Sequence, residues 1–563
     1  MPKMTGARYF AQFTQAYGVT HVFFVPAIML KPLAEMEEMA IRRIDVHGEK
    51  AAAYMADGYA RASGRPGLCM AQHVGGSNLA AGLRDAYLAG SPVIAITGSP
   101  QPEARFRHGY QEIEHFSQFD PVTKFNAEVT SVARLPDLLR QAFREATAGA
   151  PGPVHLLIGG AHGEVANAEA DFELVVEESF KQVPAFRPAP DTQRVQEALA
   201  LIERAKRPVI VAGGGVTWSG AQRELVQFAE KLNIPVATSL NAKSAIPDRH
   251  PLSAGVIGTY SRSCANKIVS EADLVLFVGS HTGAQVTTNW KVPAPGVAAI
   301  QIDIDAAELG RNYPGALGIH ADAKAALARL VAAAKPSPAP WKDWVARAQQ
   351  LVAEWRAESL PMLDSDAVPM RPERVCKEIT EALPDRGVVV SDTGHSGLWT
   401  GQMIELNHPG QRYIRCAGSL GWSFPGSLGV KCALPDQTVL CFCGDGGFLY
   451  HIAELETAAR CGINVIVVVN NNSAYNQEIP LIDNAYGGKQ GPKGGDLWRF
   501  REVDFAKIAE AMGCAGMTAR KPSELKDALH EALGLNRPVV INALSEVQAF
   551  AKRPWTPGGA SAH

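Results

Sequence analysis

Residues 438–472, TVLCFCGDGGFLYHIAELETAARCGINVIVVVNNN, decide the fold. Two short β-branched apolar runs, 438–443 and 463–469, are separated by a helical pattern. Continuous apolar runs alternating with helices are the mark of a parallel α/β layer whose strands are covered on both faces. Gly444-Asp445-Gly446 directly follows the first run and Asn470-Asn471-Asn472 directly follows the second, with Asp445 and Asn472 27 positions apart. Ligands of open parallel sheets gather at the carboxyl ends of strands, so this aspartate and this asparagine are expected to converge. A hard cation takes oxygen ligands; a carboxylate, an amide oxygen and one backbone carbonyl leave room for two diphosphate oxygens and a water. Glycines beside Asp445 let the backbone approach those phosphates without a Cβ in the way. A lone Gly-Asp-Gly is more often an ordinary turn; the two strand contexts and the distant asparagines are what separate this one from that background.

The same rhythm extends outward through the chain, which is expected to be α/β, with three doubly wound parallel-sheet domains. The first, residues 1–165, has strands at HVFFV, PGLCMAQ, PVIAITG and PVHLLI, and a helix at EKAAAYMADGYARA. A central domain, 190–335, has RPVIVAGGG, IPVATS, ADLVLFVG and AAIQIDI. The third, 365–547, has GVVVSD, TVLCFCGDGG, INVIVVVNN and PVVINAL, followed by a tail, 548–563. The stretch AKPSPAPWKDW, 334–344, reads as a linker, and the tail, FAKRPWTPGGASAH at its end, has the composition of a disordered segment or a lid. The similar rhythm of the first and third stretches hints at an old duplication.

Length sets the domain number, since 563 residues exceed what one core supports. With 54 basic and 57 acidic residues the net charge is -3, which leaves no electrostatic footprint for nucleic acid or an anionic membrane surface. The apolar runs are too short for a membrane span and the N-terminus carries no signal-peptide core, so a cytoplasmic location is expected, with small molecules or other subunits as partners. Nine cysteines without a CxxC pair argue against zinc or a disulfide framework, and Cys441 and Cys443 read as core residues of a strand.

Gly-Asp-Gly followed some two dozen residues later by paired asparagines resembles the signature of thiamine-diphosphate enzymes. The rest of the chain resembles, over nearly its whole length, the group that contains acetohydroxyacid synthase, pyruvate oxidase and pyruvate decarboxylase. The resemblance implies Mg2+ held by Asp445, Asn472 and the carbonyl of Ala474, with Gly444, Gly446, Gly447 and Tyr475 at the diphosphate. HGEKAAAYMADGYARASGRPG resembles the family's His-x-Glu and Gly-Tyr-Ala-Arg pattern and places Glu49 at the catalytic position, where it promotes the imino tautomer that makes the C2 ylid. That role requires a desolvated carboxylate; the alternative is a surface residue favourable to a helix N-terminus. SDTGHSGLW and GSLGWSFPGSLGVK resemble the segments that grip the cofactor: Gly394, His395 and Ser396 near the aminopyrimidine, and Ser419 and Leu420 at the turn whose bulky residue bends it. Because Glu49 and Asp445 lie in different domains, and in the family come from different subunits, the resemblance implies a homodimer at minimum and a homotetramer as in many relatives.

The departures from that pattern bear on substrate. Where relatives have Ser-Gly-Pro-Gly facing the thiazolium, this chain has Gln72-His73-Val74-Gly75, so His73 replaces a glycine. It serves either as acid, base or oxyanion donor or as a packed histidine at a strand end. HGYQEIEHF places Gln111 near the substrate, with His108 and His115 beside it, and Glu478 stands six residues beyond Asn472, the offset of a catalytic glutamate in pyruvate decarboxylases. Leu481 replaces a tryptophan of the synthases, and Ala27 replaces the usual glycine after Val-Pro. In the central domain Gly213 to Gly215, with Asp303 and Asp305, suit a nucleotide such as FAD, ADP or coenzyme A. His281 replaces the arginine of flavin-binding relatives, and a vestigial empty site is the other reading. The expected activity is thiamine-dependent carbon–carbon cleavage or formation on a 2-oxo acid or related carbonyl, through a ylid and an enamine, acetolactate-synthase-like. The alternatives are a 2-hydroxyacyl-CoA lyase, a cyclic diketone hydrolase and a silent regulatory subunit.

Overall fold

The computed structural model describes residues 3–100, 104–336 and 341–559 and contains three six-stranded, wholly parallel sheets, each flanked by helices. The first sheet runs Arg42–Asp45, His21–Phe24, Gly67–Ala71, Val93–Gly98, Val154–Ile158, Phe125–Val129. The central sheet runs Ser253–Val256, Val236–Thr238, Pro208–Ala212, Leu274–Val278, Ala298–Asp303, Leu317–His320. The third runs Arg412–Arg415, Val388–Ser391, Val439–Gly444, Ile466–Asn471, Val539–Leu544, Ala515–Ala519. Numbered by chain order within each domain, the first and third sheets share the order 2-1-3-4-6-5, whereas the central sheet has 3-2-1-4-5-6. The shared order gives the suspected kinship of the two outer domains a topological basis. The central order is that of dinucleotide-binding sheets. A two-stranded antiparallel ribbon, Lys3–Thr5 with Glu169–Asp171, ties the start of the chain to the end of the first domain.

The third sheet holds the molecule together because both of its faces are apolar. Alternate strand residues point to opposite faces. Val389, Leu440, Phe442 and Val468 share a core with the central domain. Val388, Val390, Cys441, Cys443, Val467 and Val469 share another with Ala52, Ala53 and Ala56 of the first domain. Cys441 and Cys443 are core residues as expected, and all nine cysteines are free thiols.

Two expectations need correction. The stretch around Trp341 to Trp344 is no linker: it begins a 22-residue helix, Lys342–Leu363, anchored to the central domain by Trp341 Nε1 on the Ala205 carbonyl and Trp344 Nε1 on that of Pro208. Buried tryptophans with satisfied N–H groups override the proline-rich composition before them, of which residues 337–340 lie outside the described residues. The tail is also ordered through Gly559. Phe550 packs on the cluster of Ala474, Ile479 and Trp498, and Asn266 and Gln402 donate to the carbonyls of Trp555 and Lys552. Residues 560–563 are outside the described residues.

Helix Glu49–Ser63 lies along helix Ser423–Ala433, and small residues set their distance. A Cβ on Gly429 would sit 1.9 Å from the Met55 carbonyl oxygen, and one on Gly58 2.0 Å from that of Gly426. Only bare backbones fit there. Gly429→Ala should therefore lose about 1–3 kcal/mol or more through overpacking, seen as a lower urea midpoint. Gly534→Ala, at a position with nothing within 4 Å, should leave that midpoint within the error of the parent.

Candidate active site

A cradle of oxygen atoms is built where two neighbouring strands end. Val439–Gly444 pairs in register with Ile466–Asn471, so Asp445 and the asparagines emerge side by side. Asp445 is buried; its Oδ1 accepts from the Gly446 N–H at 2.8 Å and its Oδ2 from the Ala474 N–H at 3.1 Å. Burial pushes its carboxyl up to about 6, against the pull of four backbone N–H dipoles from Gly446, Ala474, Ser473 and Asn472. Ala474 forms a lone antiparallel bridge with Arg499, but that bridge uses the Ser473 carbonyl and the Tyr475 N–H. The carbonyl of Ala474 is thus left free of the bridge. Oδ1 of Asn472 is buried without a donor, and so is Oδ1 of Asn470. A buried carboxylate and buried acceptors with no donors suit a cation better than any hydrogen-bonding neighbour. Gly446 is required here, since a Cβ would meet the Tyr475 ring at 2.2 Å.

Beside the cradle, Gly394 takes φ 65° to open helix His395–Met403. Nδ1 of His395 pairs with Asn476 Oδ1 at 2.9 Å, and its ring lies near Trp399 and Phe550. Burial lowers the His395 pKa while the Asn476 bond opposes it. Ser396 is buried, its Oγ 3.6 Å from where a Cβ on Gly444 would stand. Leu420 is 41% exposed at the crest of its turn. Asp392, which the sequence reading did not single out, accepts from the N–H groups of Thr393, Gly421 and Ser423 and from the Ser423 hydroxyl. Its signal was present in VVVSD: like Asp445, it is an aspartate directly after a buried strand.

In the first domain Glu49 opens its helix, half-buried rather than desolvated within the single chain. Asn78 donates to its Oε2, and its carboxylate lies over Gly75, where a Cβ would be 2.5 Å from Oε1. The other side of that turn is pressed by His115, whose Cδ2 would be 2.4 Å from a Cβ on Gly76. His73 is buried within it. Its Nε2 faces the Ile113 carbonyl at 3.0 Å and must donate, which leaves Nδ1, buried and unpartnered, as the acceptor. Gln111 bonds Gln72 at 2.9 Å, so the structure brings Glu49, His73 and Gln111 to one turn. His108 is exposed. Glu478 is exposed at the start of helix Ile479–Ala485, six residues beyond Asn472.

His115 and His155 belong to a buried chain that sequence alone did not reveal. Thr97 Oγ1 bonds Nε2 of both, and His155 Nδ1 meets Asn126 Oδ1. Burial, reinforced by the nearby His73, lowers the His115 pKa to about 4. An imidazole with a depressed folded pKa contributes stability that is whole above the ordinary pKa of about 6.5 and is lost as pH falls toward 4. The parent's urea midpoint should therefore fall between pH 6.5 and 4. His115→Gln should flatten that fall, by up to about 3 kcal/mol if the whole shift is realised.

The central sheet carries a cavity of about 590 Å3 at its strand ends, bordered by Gly214, Ser280, His281, Asp303 and Asp305, with Leu88 and Arg415 from the other domains. Of the three glycines, Gly213 and Gly215 serve close packing on Gly279, a Cβ on either meeting its backbone at 2.1 and 2.7 Å. All three line the cavity, and Gly214 is the one whose Cβ position is free of a close contact, its nearest neighbour being Asn241 Cβ at 3.5 Å. Burial raises the Asp303 carboxyl.

Three family models match along this chain: "Thiamine pyrophosphate enzyme, N-terminal TPP binding domain" over residues 4–119, the central domain over 195–330, and the C-terminal TPP binding domain over 392–543. A probable acetolactate synthase large subunit of Methanocaldococcus jannaschii is 32% identical, covering 99% of this chain and 94% of its own length. The acetolactate synthase isozyme 1 large subunit of Escherichia coli K12 is 29% identical, covering 99% and 97%. One from Methanococcus aeolicus, also named a probable acetolactate synthase large subunit, is 30% identical over 98% and 94%. With the cradle at Asp445 and the Glu49 turn both inside matched segments, the chain belongs to the thiamine pyrophosphate enzymes.

Proposed function

We propose that the protein is a Mg2+-dependent carboligase that takes a 2-oxo acid as acyl donor and joins the acyl carbon to a second carbonyl compound, acetolactate formation being the first reaction to assay. The observation that carries this is the donor set around Asp445: one buried carboxylate and the orphaned amide oxygen of Asn472, with the bridge-free carbonyl of Ala474 beside them. Asp445, Asn472 and Ala474 would hold the cation, while Gly444, Gly446, Gly447 and Tyr475 would face the diphosphate. Gly394, His395, Ser396 and Ser419 would line the pyrimidine side, and Leu420 would bend the cofactor. Thiamine diphosphate, when bound, supplies a carbon nucleophile that adds to a substrate carbonyl and can hold the electron pair left by CO2.

The chain's own residues then handle protons and orientation. Glu49, steadied by Asn78, would pass a proton to and from the aminopyrimidine. Nδ1 of His73, the ring atom its Ile113 bond leaves open, would accept a proton from a substrate hydroxyl. Gln111 would orient a substrate oxygen and Glu478 would give a proton to the acceptor's carbonyl oxygen as the new carbon–carbon bond forms. Val74 beside His73, and Leu420, Leu449 and Tyr450 in the third domain, are exposed in the single chain. A second copy covering them would complete each site, which supports a homodimer at least and is compatible with a homotetramer. The 3-2-1-4-5-6 order and the cavity at its strand ends support a nucleotide, FAD or ADP, in the central domain. A flavin spectrum of the purified protein, or its absence alongside bound ADP, decides between the two.

The test is C2 proton exchange of added thiamine diphosphate with and without Mg2+, followed by product analysis with pyruvate and a panel of acceptors. Exchange should need Mg2+ and fail after chelation. Glu49→Gln should slow it by about 10²-fold or more, and an unchanged rate would overturn the assignment. Gly75→Ala, which displaces the Glu49 carboxylate without touching its charge, should cost about 10²-fold. Asp445→Ala should lose Mg2+-dependent cofactor binding altogether.

A further inference from the structure

Turn 417–423, which presents Leu420, is gripped by two buried carboxylates, one on each side of that residue. On the far side Asp392, from the turn's own domain, takes the N–H groups of Gly421 and Ser423. On the near side the carboxylate belongs to another domain. Oδ1 of Asp85 accepts the Ala417 N–H at 2.8 Å, and Oδ2 accepts those of Gly418 at 3.2 Å and Ser419 at 3.0 Å. Three consecutive backbone N–H groups thus form a nest around a fully buried anion. Arg61 completes the arrangement: its Nη2 bonds Asp85 Oδ1 at 2.8 Å and Asp57 Oδ2 at 2.6 Å, its Nη1 donates to the Arg415 carbonyl, and its guanidinium lies 4.6 Å from the Trp422 ring. Trp422 Nε1 in turn donates to Asp57.

We propose that Asp85 is a positioning residue for the cofactor site: by capturing the 417–419 nest it fixes the height and direction of Leu420, so the shape of the third-domain site depends on docking of the same chain's first domain. This rests on the assignment of Leu420 as the residue that bends thiamine diphosphate. The physical reason is the cost of the alternative. Without the carboxylate, three successive N–H groups lose the buried acceptor that holds them, and the turn, whose residues are half-buried or exposed, is free to shift toward solvent to satisfy them. Leu420 would move with it.

Asp85→Asn tests this without disrupting the fold, because Asp57 and Arg61 remain a balanced buried pair. Asp85→Ser, with a shorter acceptor, is the second variant. In the cofactor-free protein, amide hydrogen exchange at 417–419 should quicken by about tenfold or more, while strand Ile466–Asn471 keeps its protection. Thiamine diphosphate should bind about tenfold more weakly, and C2 exchange at saturating cofactor should fall, as in Leu420→Ala. Unchanged protection at 417–419, or lost protection with unaltered cofactor affinity and C2 exchange, overturns the proposal. If Leu420→Ala and Glu49→Gln alone leave C2 exchange untouched, the underlying site assignment fails instead, whatever the amides of 417–419 do.

Discussion

The bare-backbone contact between helices Glu49–Ser63 and Ser423–Ala433 is the constraint on which the rest depends. Gly58 and Gly429 let the two approach so closely that a side chain on either collides with a carbonyl oxygen of the other helix, and one on Gly426 would meet the Trp422 ring. That approach buries Asp57, Arg61 and Asp85 completely or nearly so. Removing such charges from water is expensive, and it is tolerated here because each carboxylate and the guanidinium find several partners. The same helix carries Glu49 at its first turn, so the depth at which it docks also sets where that carboxylate stands relative to the third domain.

Much of this was legible in the sequence because the governing patterns are local. Continuous apolar runs named the strands, and Asp445 and Asn472 could be paired because adjacent parallel strands bring their ends together. Glu49, His73 and Gln111 meet at one turn, in keeping with their expected neighbourhood. What stayed hidden depends on partners far away in the chain. The carboxylate of Asp85 finds its nest 332 positions later, and nothing in LRDAYLAG announces it. His115 and His155 join through Thr97, a single hydroxyl in a strand with no polar pattern of its own. Composition misled where a few large side chains outweighed many small ones: Trp341 and Trp344 turned a proline-rich stretch into the start of a long helix, and Phe550 docked a tail rich in proline and glycine.

The central domain illustrates a different limit. A cluster of glycines suggested backbone approach to a ligand, yet two of the three are small because another turn, at Gly279, leaves them no room. Only the folded chain separates a glycine that welcomes a ligand from one that accommodates its neighbour. All three border the cavity, but only at Gly214 does no close neighbour account for the missing side chain.

The identical strand order of the two outer sheets acquires a further meaning from the helices that join them. Helix Glu49–Ser63 lies between the second and third strands of its sheet, and helix Ser423–Ala433 occupies the same place in the other. Each therefore packs on its own topological counterpart, in the manner of an isologous dimer interface carried inside one polypeptide. Within one chain the two halves need not be alike. One helix carries a carboxylate, Glu49, at its tip while its counterpart follows the turn that presents Leu420, and the contact between them is made through glycine.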